Sequence, residues 1–185
     1  GLKIVCPATP HDAKGLLASA IEDPNPVLYF EHKHLYRRIK GDVPEERYTV
    51  PFGQARVHRE GDDAVVVTWG AMVYTAAEAA DELAKEGFET EVLDLRTLIP
   101  WDKAKVLESV RRTSKVLVLH EDTRTGGFGG EIAATIAEEA FEDLDAPVVR
   151  VAAPDTPVPF SPPLEKAFIP QAEDVLKSLR ELAEY

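Results

Sequence analysis

The chain has 185 residues, of which 44% are hydrophobic and 29% charged. That is enough for one core, or one domain plus part of another, and it excludes a disordered chain. A formal charge of −12 argues against nucleic acid and against an anionic membrane, because phosphate binding runs on Lys and Arg.

Leu2 to Cys6 reads as a short buried strand. Cys6 is the sole cysteine, so no internal disulfide forms and a reducing compartment fits. Thr9 is a candidate N-cap, with Pro10 at the first helical position and Asp12 in the first turn. Leu16, Leu17, Ala20 and Ile21 then repeat at helical spacing. Asp23-Pro24-Asn25-Pro26 stops the helix, and Val27 to Phe30 is a second strand. Strand, helix and strand in so few residues make a parallel crossover unit. Two strands cannot stand alone as a sheet, so the unit is expected to complete a larger domain. The opening Gly1 reads as a chain cut from a longer one. His34 to Glu60 is irregular, an extended connection with a short strand at Gln54 to Arg59.

A second body follows. Strands are expected at Ala64 to Trp69, Glu91 to Leu95, Lys115 to His120 and Val148 to Val151. Helices alternate with them at Tyr74 to Glu86 (Ala77, Ala80, Leu83 and Ala84 inward), Asp102 to Arg112 and Gly130 to Leu144. Pro154 to Pro163 reads as a surface loop. Gln171 to Glu184 closes the chain as a helix, with Val175, Leu176 and Leu179 inward. The pattern predicts an α/β fold, a mainly parallel sheet with helices on both faces. No apolar run approaches the roughly 20 residues of a membrane span.

The richest stretch is His120-Glu121-Asp122-Thr123-Arg124-Thr125-Gly126-Gly127-Phe128-Gly129-Gly130-Glu131-Ile132. A glycine-rich turn from strand to helix exposes N–H groups at a positive helix end, which suits an anion or a closely packed neighbour. A dinucleotide fingerprint needs glycine where Ile132 stands, and a P-loop needs Lys after Gly130, which Glu131 replaces. Close backbone packing, against another chain, is the expectation. His120 ends its strand at the carboxyl edge, where ligands of open α/β sheets bind, so position alone makes it the best acid/base candidate. His32 and His34, at the end of the second strand, are expected on one side; such a pair could bind metal or move protons, but a solvated strand end beside the connection is the favoured reading. At Asp23 to Asn25 the helix-end carbonyls and two side-chain oxygens could cage a hard cation or form a plain turn.

Several stretches together carry a resemblance. They are Thr9-Pro10-His11-Asp12-Ala13-Lys14-Gly15-Leu16-Leu17, the Asp23 to Pro26 turn, Phe30-Glu31-His32-Lys33 with Leu35-Tyr36-Arg37, Glu91 to Asp102, and Arg150 to Pro157. Glu91 to Asp102 contains the specific string Asp94-Leu95-Arg96-Thr97-Leu98-Ile99-Pro100-Trp101-Asp102. The chain resembles, over essentially its whole length, the β subunit of thiamine-diphosphate-dependent 2-oxo acid dehydrogenases, the E1 component of the pyruvate and branched-chain complexes. The resemblance implies that residues 1–34 are the last piece of a pyrimidine-binding domain, 35–60 a linker, and 61–185 a transketolase C-terminal-type domain. It places the family's catalytic glutamate and histidine upstream, so no catalytic or cofactor-binding residue carries over. Thiamine diphosphate and magnesium would be held by the complete assembly. A structural potassium ion maps to Ala20, Ile21, Asp23 and Asn25. His11 stands where the family often has tyrosine. Implied partners are the E1 α subunit, a second β subunit and the basic peripheral domain of the E2 acyltransferase, with Asp145 and the Tyr185 carboxylate as docking candidates. The implied compartment is the cytoplasm, or the mitochondrial matrix in a eukaryote. The isolated chain is expected to be inactive. A stand-alone interaction module, and a transketolase or deoxyxylulose-phosphate synthase C-terminal region, are the rival readings.

Overall fold

A computed structural model describes residues 1–185. Strand β1 (Lys3–Val5) leads into helix α1 (Pro10–Glu22) and strand β2 (Val27–Tyr29), which pairs parallel to β1. The Thr9 hydroxyl accepts from the Asp12 N–H at 3.1 Å, so the helix starts at the expected cap. The remaining strands and helices are β3 (Arg56–Arg59), β4 (Ala64–Thr68), α2 (Met72–Ala84), β5 (Thr90–Asp94), β6 (Thr97–Ile99), α3 (Lys103–Thr113), β7 (Val116–Thr123), α4 (Gly129–Glu139), β8 (Val149–Ala153), α5 (Pro162–Phe168) and α6 (Ala172–Ala183).

Five strands form one sheet in the order β3-β5-β4-β7-β8. All neighbours are parallel except β3, which runs antiparallel to β5 on the edge. Alternation along β4 splits the core. Val66 faces α2 and α6 with Ala76, Leu83, Val175 and Leu179, while Val65 and Val67 face α3 and α4 with Val106, Val110, Ile132 and Ile136. Helices therefore cover both faces, as the strand–helix alternation predicts. The buried face of α2 carries Ala76 and Ala79 with Ala80 and Leu83, and expected Ala77 and Ala84 are only half-buried. That helix begins at Met72, two residues before the expected start.

A three-stranded sheet has the order β2-β1-β6. Strand β6 is the unexpected element. It lies inside the Asp94 to Asp102 string and pairs antiparallel with β1, so the second body lends a strand to the first. The expected loop Pro154 to Pro163 runs two residues into helix α5, whose first two positions are Pro162 and Pro163, where a missing N–H costs no hydrogen bond. Helix α4 ends at Glu139, short of the expected Leu144, and a 3₁₀ turn at Phe141–Asp143 follows.

The connection is not free chain. Val50 is buried with Val5 and Leu16, and its N–H donates to the Gly15 carbonyl at 3.1 Å. The Lys14 ammonium donates to the carbonyls of Pro44, Glu45 and Glu46. Gly15 permits this approach, because a Cβ there would overlap Val50 and Tyr48 side-chain carbons. His11, at the position where the resemblance suggests tyrosine, stacks on Tyr48 with ring centroids 4.6 Å apart.

Candidate functional site at the carboxyl edge of the sheet

Strand β4 connects through α2 to β5 on one side, and α3 returns the chain to β7 on the other. The carboxyl ends of β4 and β7 therefore flank the switch point where open α/β sheets bind ligands. Here that crevice is filled from within. His120, at 1% exposure, stacks on Trp69 at 5.5 Å with planes 8° apart. Phe128 meets the same indole edge-on at 6.1 Å. Above the imidazole lies the glycine turn. A Cβ on Gly129 would strike His120 Cδ2 and Nε2, and one on Gly127 would strike the Thr123 carbonyl and come 2.7 Å from His120 Cε1.

The glycines are thus required for close packing, and within the chain the group they pack on is His120. The Thr125 N–H and hydroxyl donate to the two Asp155 oxygens at 2.8 and 2.6 Å. That clip joins the glycine turn to the Pro154 to Pro157 string. Neither ring nitrogen of His120 has a hydrogen-bond partner, and burial lowers its pKa. A neutral, sealed imidazole cannot meet an external substrate, so geometry removes it as an acid/base group. With the ring filling the space below it, the turn offers no open cradle for a diphosphate. No cluster of three or more His, Cys, Asp or Glu side chains is gathered for a metal. The residues present do not fit thiamine diphosphate or magnesium.

The first body caps this edge through two polar links. His32 Nε2 lies 2.8 Å from Glu121 Oε1, and this hydrogen bond raises the histidine pKa against the opposing effect of burial. His32 does not share a strand with His34. Strand β2 stops at Tyr29, and a 3₁₀ turn at Lys33–Leu35 sets the two rings edge to face at 6.1 Å.

The second link was missed in sequence. Asp12, 1% exposed, accepts from the Thr9 hydroxyl at 2.8 Å and from Arg96 Nη1 at 3.0 Å, with Arg56 Nη1 at 3.5 Å. Burial pushes its pKa up, but Thr9, Arg56 and Arg96 outweigh that and hold it below the usual carboxylate range. Asp94, at the end of β5, has no exposed surface. One oxygen accepts from the Arg96 N–H at 3.1 Å, and the other lies 3.5 Å from Arg56 Nη2. Burial dominates here and pushes its carboxyl up to about 7. Arg96 adopts φ 57°, a left-handed position that reverses the chain from β5 into β6. The available signal was the specificity of the Asp94-Leu95-Arg96 string, but its partners lie about 40 and 80 residues away in sequence.

The sequence-expected ion and partner residues lie elsewhere. Ala20 and Ile21 occupy the last turn of α1, and Asp23 caps it. Pro24 has no N–H to give the Ala20 carbonyl. The Lys3 ammonium already bonds the Asp23 carboxylate, whose other oxygen accepts the Asn25 N–H at 2.9 Å. Lys3 thus supplies a cation to Asp23. Asp145 and Tyr185 are both exposed. No helix is long and apolar enough to cross a membrane.

Relatives place this geometry. Over its whole length the chain is 50% identical to the 2-oxoisovalerate dehydrogenase subunit beta of Bacillus subtilis and spans 57% of that protein. It is 46% identical to the pyruvate dehydrogenase E1 component subunit beta of the same organism, again spanning 57%. It is 48% identical to the mitochondrial 2-oxoisovalerate dehydrogenase subunit beta 2 of Arabidopsis thaliana, spanning 51%. The chain thus covers little more than half of these E1 β subunits. Among solved structures, a split-gene transketolase described as an inactive beta4 tetramer superposes with a TM-score of 0.80 at 28% identity, over 99% of this chain and 57% of that one. Residues 53–175 match the family "Transketolase, C-terminal domain", and with two-thirds of the sequence inside that match the chain belongs to this family.

Proposed function

We propose that this chain is the C-terminal portion of an E1 β subunit in a 2-oxo acid dehydrogenase complex. In such an assembly a 2-oxo acid is decarboxylated on thiamine diphosphate, and the acyl group passes to the lipoyl group of E2. The cofactor supplies the carbanion chemistry when bound, and this chain supplies no ligand to it or to magnesium. Residues 1–34 close the preceding domain, 35–60 connect, and 61–185 form the C-terminal body. The chain contributes contacts to the E1 α subunit and to a second β subunit, and exposed Asp145 and Tyr185 suit a basic E2 domain. The compartment is the cytoplasm, or the mitochondrial matrix in a eukaryote.

One observation carries this reading beyond sequence identity. Strand β2 is the open edge of its sheet, and Leu17, Ile21, Leu28 and Phe30 around it are exposed. An uncovered strand edge beside apolar side chains invites further strands, which the rest of a β subunit would provide. The test joins this chain to the N-terminal segment of the branched-chain relative and mixes the product with that relative's α subunit. Dye reduction driven by pyruvate or 2-oxoisovalerate is expected from the assembly and not from the chain alone. Turnover by the chain alone, or an assembled but inert tetramer, refutes the proposal. Potassium at Ala20, Ile21, Asp23 and Asn25 is part of it. Lys3→Ala, which frees Asp23, should melt higher in KCl than in NaCl of equal ionic strength, and equal midpoints would remove the ion site.

A further inference from the structure

Lys33 to Lys40 form a strap after β2, held as a 3₁₀ turn at Lys33–Leu35 and by the Arg38 and Ile39 N–H groups on the Leu35 carbonyl. The segment His32 to Gly41 contains no acidic residue. Lys33, His34, Arg37, Arg38 and Lys40 are all exposed. None of the four permanent cations has an ion pair within the chain. This is notable in a chain with 33 acidic and 21 basic residues. Most cations elsewhere are paired, as Arg59 is with Asp81 and Glu89 and Arg180 with Glu86.

Under the strap, Leu35, Tyr36 and Ile39 face Pro7, Pro10 and Tyr29 across a hollow of about 400 Å³. Its lining holds one carboxylate, Glu31. The larger cleft of about 920 Å³ beside the strap carries Glu78, Glu121, Glu165 and Glu173 against Arg38 and Lys166. The hollow, with a single carboxylate, is the less acidic of the two spaces.

We propose that this strap docks an acidic peptide segment of a protein partner, with one large apolar side chain of that segment in the hollow. Carboxylates pair with Lys33, Arg37, Arg38 and Lys40, and the apolar anchor fixes register. A nucleic acid is the weaker match, since a polyanion meets the repulsion of the whole chain and brings no aliphatic anchor. The inference stands apart from the proposed function and survives its failure.

The test is fluorescence anisotropy of the full chain with a rhodamine-labelled peptide, Asp-Glu-Asp-Leu-Glu-Asp. Saturable binding is expected, weakening several-fold between 50 and 200 mM NaCl. Arg37→Glu with Arg38→Glu should weaken it at least tenfold, and so should Lys33→Glu with Lys40→Glu. These side chains are exposed and unpaired, and unchanged urea midpoints would show the variants folded. Serine in place of the peptide leucine should cost at least fivefold. Lys177→Glu, on α6, should change nothing. No saturable binding, an equal loss with Lys177→Glu, insensitivity to either strap pair, indifference to the leucine, or stronger competition by a 12-nucleotide DNA strand than by unlabelled peptide would overturn the proposal.

Discussion

Gly129→Ala sets two effects of opposite sign against each other. Gly129 opens α4, and alanine is favoured over glycine in a helix by about 1 kcal/mol. Its φ is not in the left-handed region, so backbone strain does not oppose the change. Local propensity alone predicts a more stable protein. Packing predicts the reverse. The new methyl would overlap the His120 ring and sit 3.2 Å from Val118 Cγ1. The ring has no room to yield, with Trp69 stacked at 5.5 Å. Overpacking of this kind costs about 1–3 kcal/mol, so the net expectation is a loss of up to about 2 kcal/mol. In a chain of this size that is a fall in Tm of up to roughly 8 °C, at about 2–4 °C per kcal/mol. Gly130→Ala is the internal control, because its Cβ would meet only Arg150 Nη1 at 3.5 Å, an ordinary contact. It should be neutral or stabilising by up to about 1 kcal/mol. Urea denaturation with unchanged m-values reads both, and His120→Ala combined with Gly129→Ala completes a cycle. Removing the ring should make the methyl tolerable, with a coupling of about 0.5–3 kcal/mol. If Gly129→Ala is more stable than the parent, or if the cycle shows no coupling, the histidine does not set the glycine requirement.

Three further outcomes test the links between the two bodies. Asp12→Ala leaves Arg96 and Arg56 without their shared carboxylate, and breaking such a buried pair should cost about 3–5 kcal/mol by urea denaturation; a loss below about 1 kcal/mol would show the link to be solvated. His32 has a folded pKa raised above 6.5 by Glu121, so its contribution is fully present below pH 6.5 and is lost as pH rises through the folded value. His32→Gln should remove that decline from the stability–pH curve, and an unchanged curve above pH 6.5 contradicts the pairing. Asp94 is raised from 3.8 to about 7, so the folded state holds a proton that the unfolded state releases, and stability falls as pH climbs across that interval. Asp94→Asn should flatten the curve between those limits, and persistence of the slope would assign it to another group.

The layered body was legible because its determinants are local. Short buried strands such as β4 and β7 alternate with helices of apolar periodicity, and some helices announce their caps. Thr9 and Asp102 each accept the N–H three residues on, as their sequence context predicts. The chemistry of the edge was less legible because it is non-local. Nothing near Asp12 announces Arg96, and nothing near His32 announces Glu121. His120 was recognised by its place at a strand end, but position does not reveal that Trp69 and two glycines enclose it. Strand β6 was hidden for a related reason. Three residues paired to a strand almost a hundred positions earlier have no periodicity of their own to display.

That strand explains why a short string is so specific. Asp94 ends β5 and accepts the Arg96 N–H, Arg96 turns the chain and reaches Asp12, and its carbonyl accepts the Cys6 N–H at 2.8 Å. Thr97 to Ile99 then pair with β1, and the Thr97 hydroxyl accepts from the Gly53 N–H at 3.2 Å. Asp102 finishes the run by capping α3 with one oxygen and holding the Ala55 N–H at 2.9 Å with the other. Within nine residues the chain closes one sheet, lends a strand to the next and anchors the connection between them. Substitution of Arg96 or Thr97 disturbs partners in both bodies, so the constraint on the string includes the joint orientation of two sheets. This also accounts for a carboxylate kept fully buried at Asp94 at the cost of its acidity. A hydrophobic residue there would pack but would free Arg56 and the Arg96 turn together.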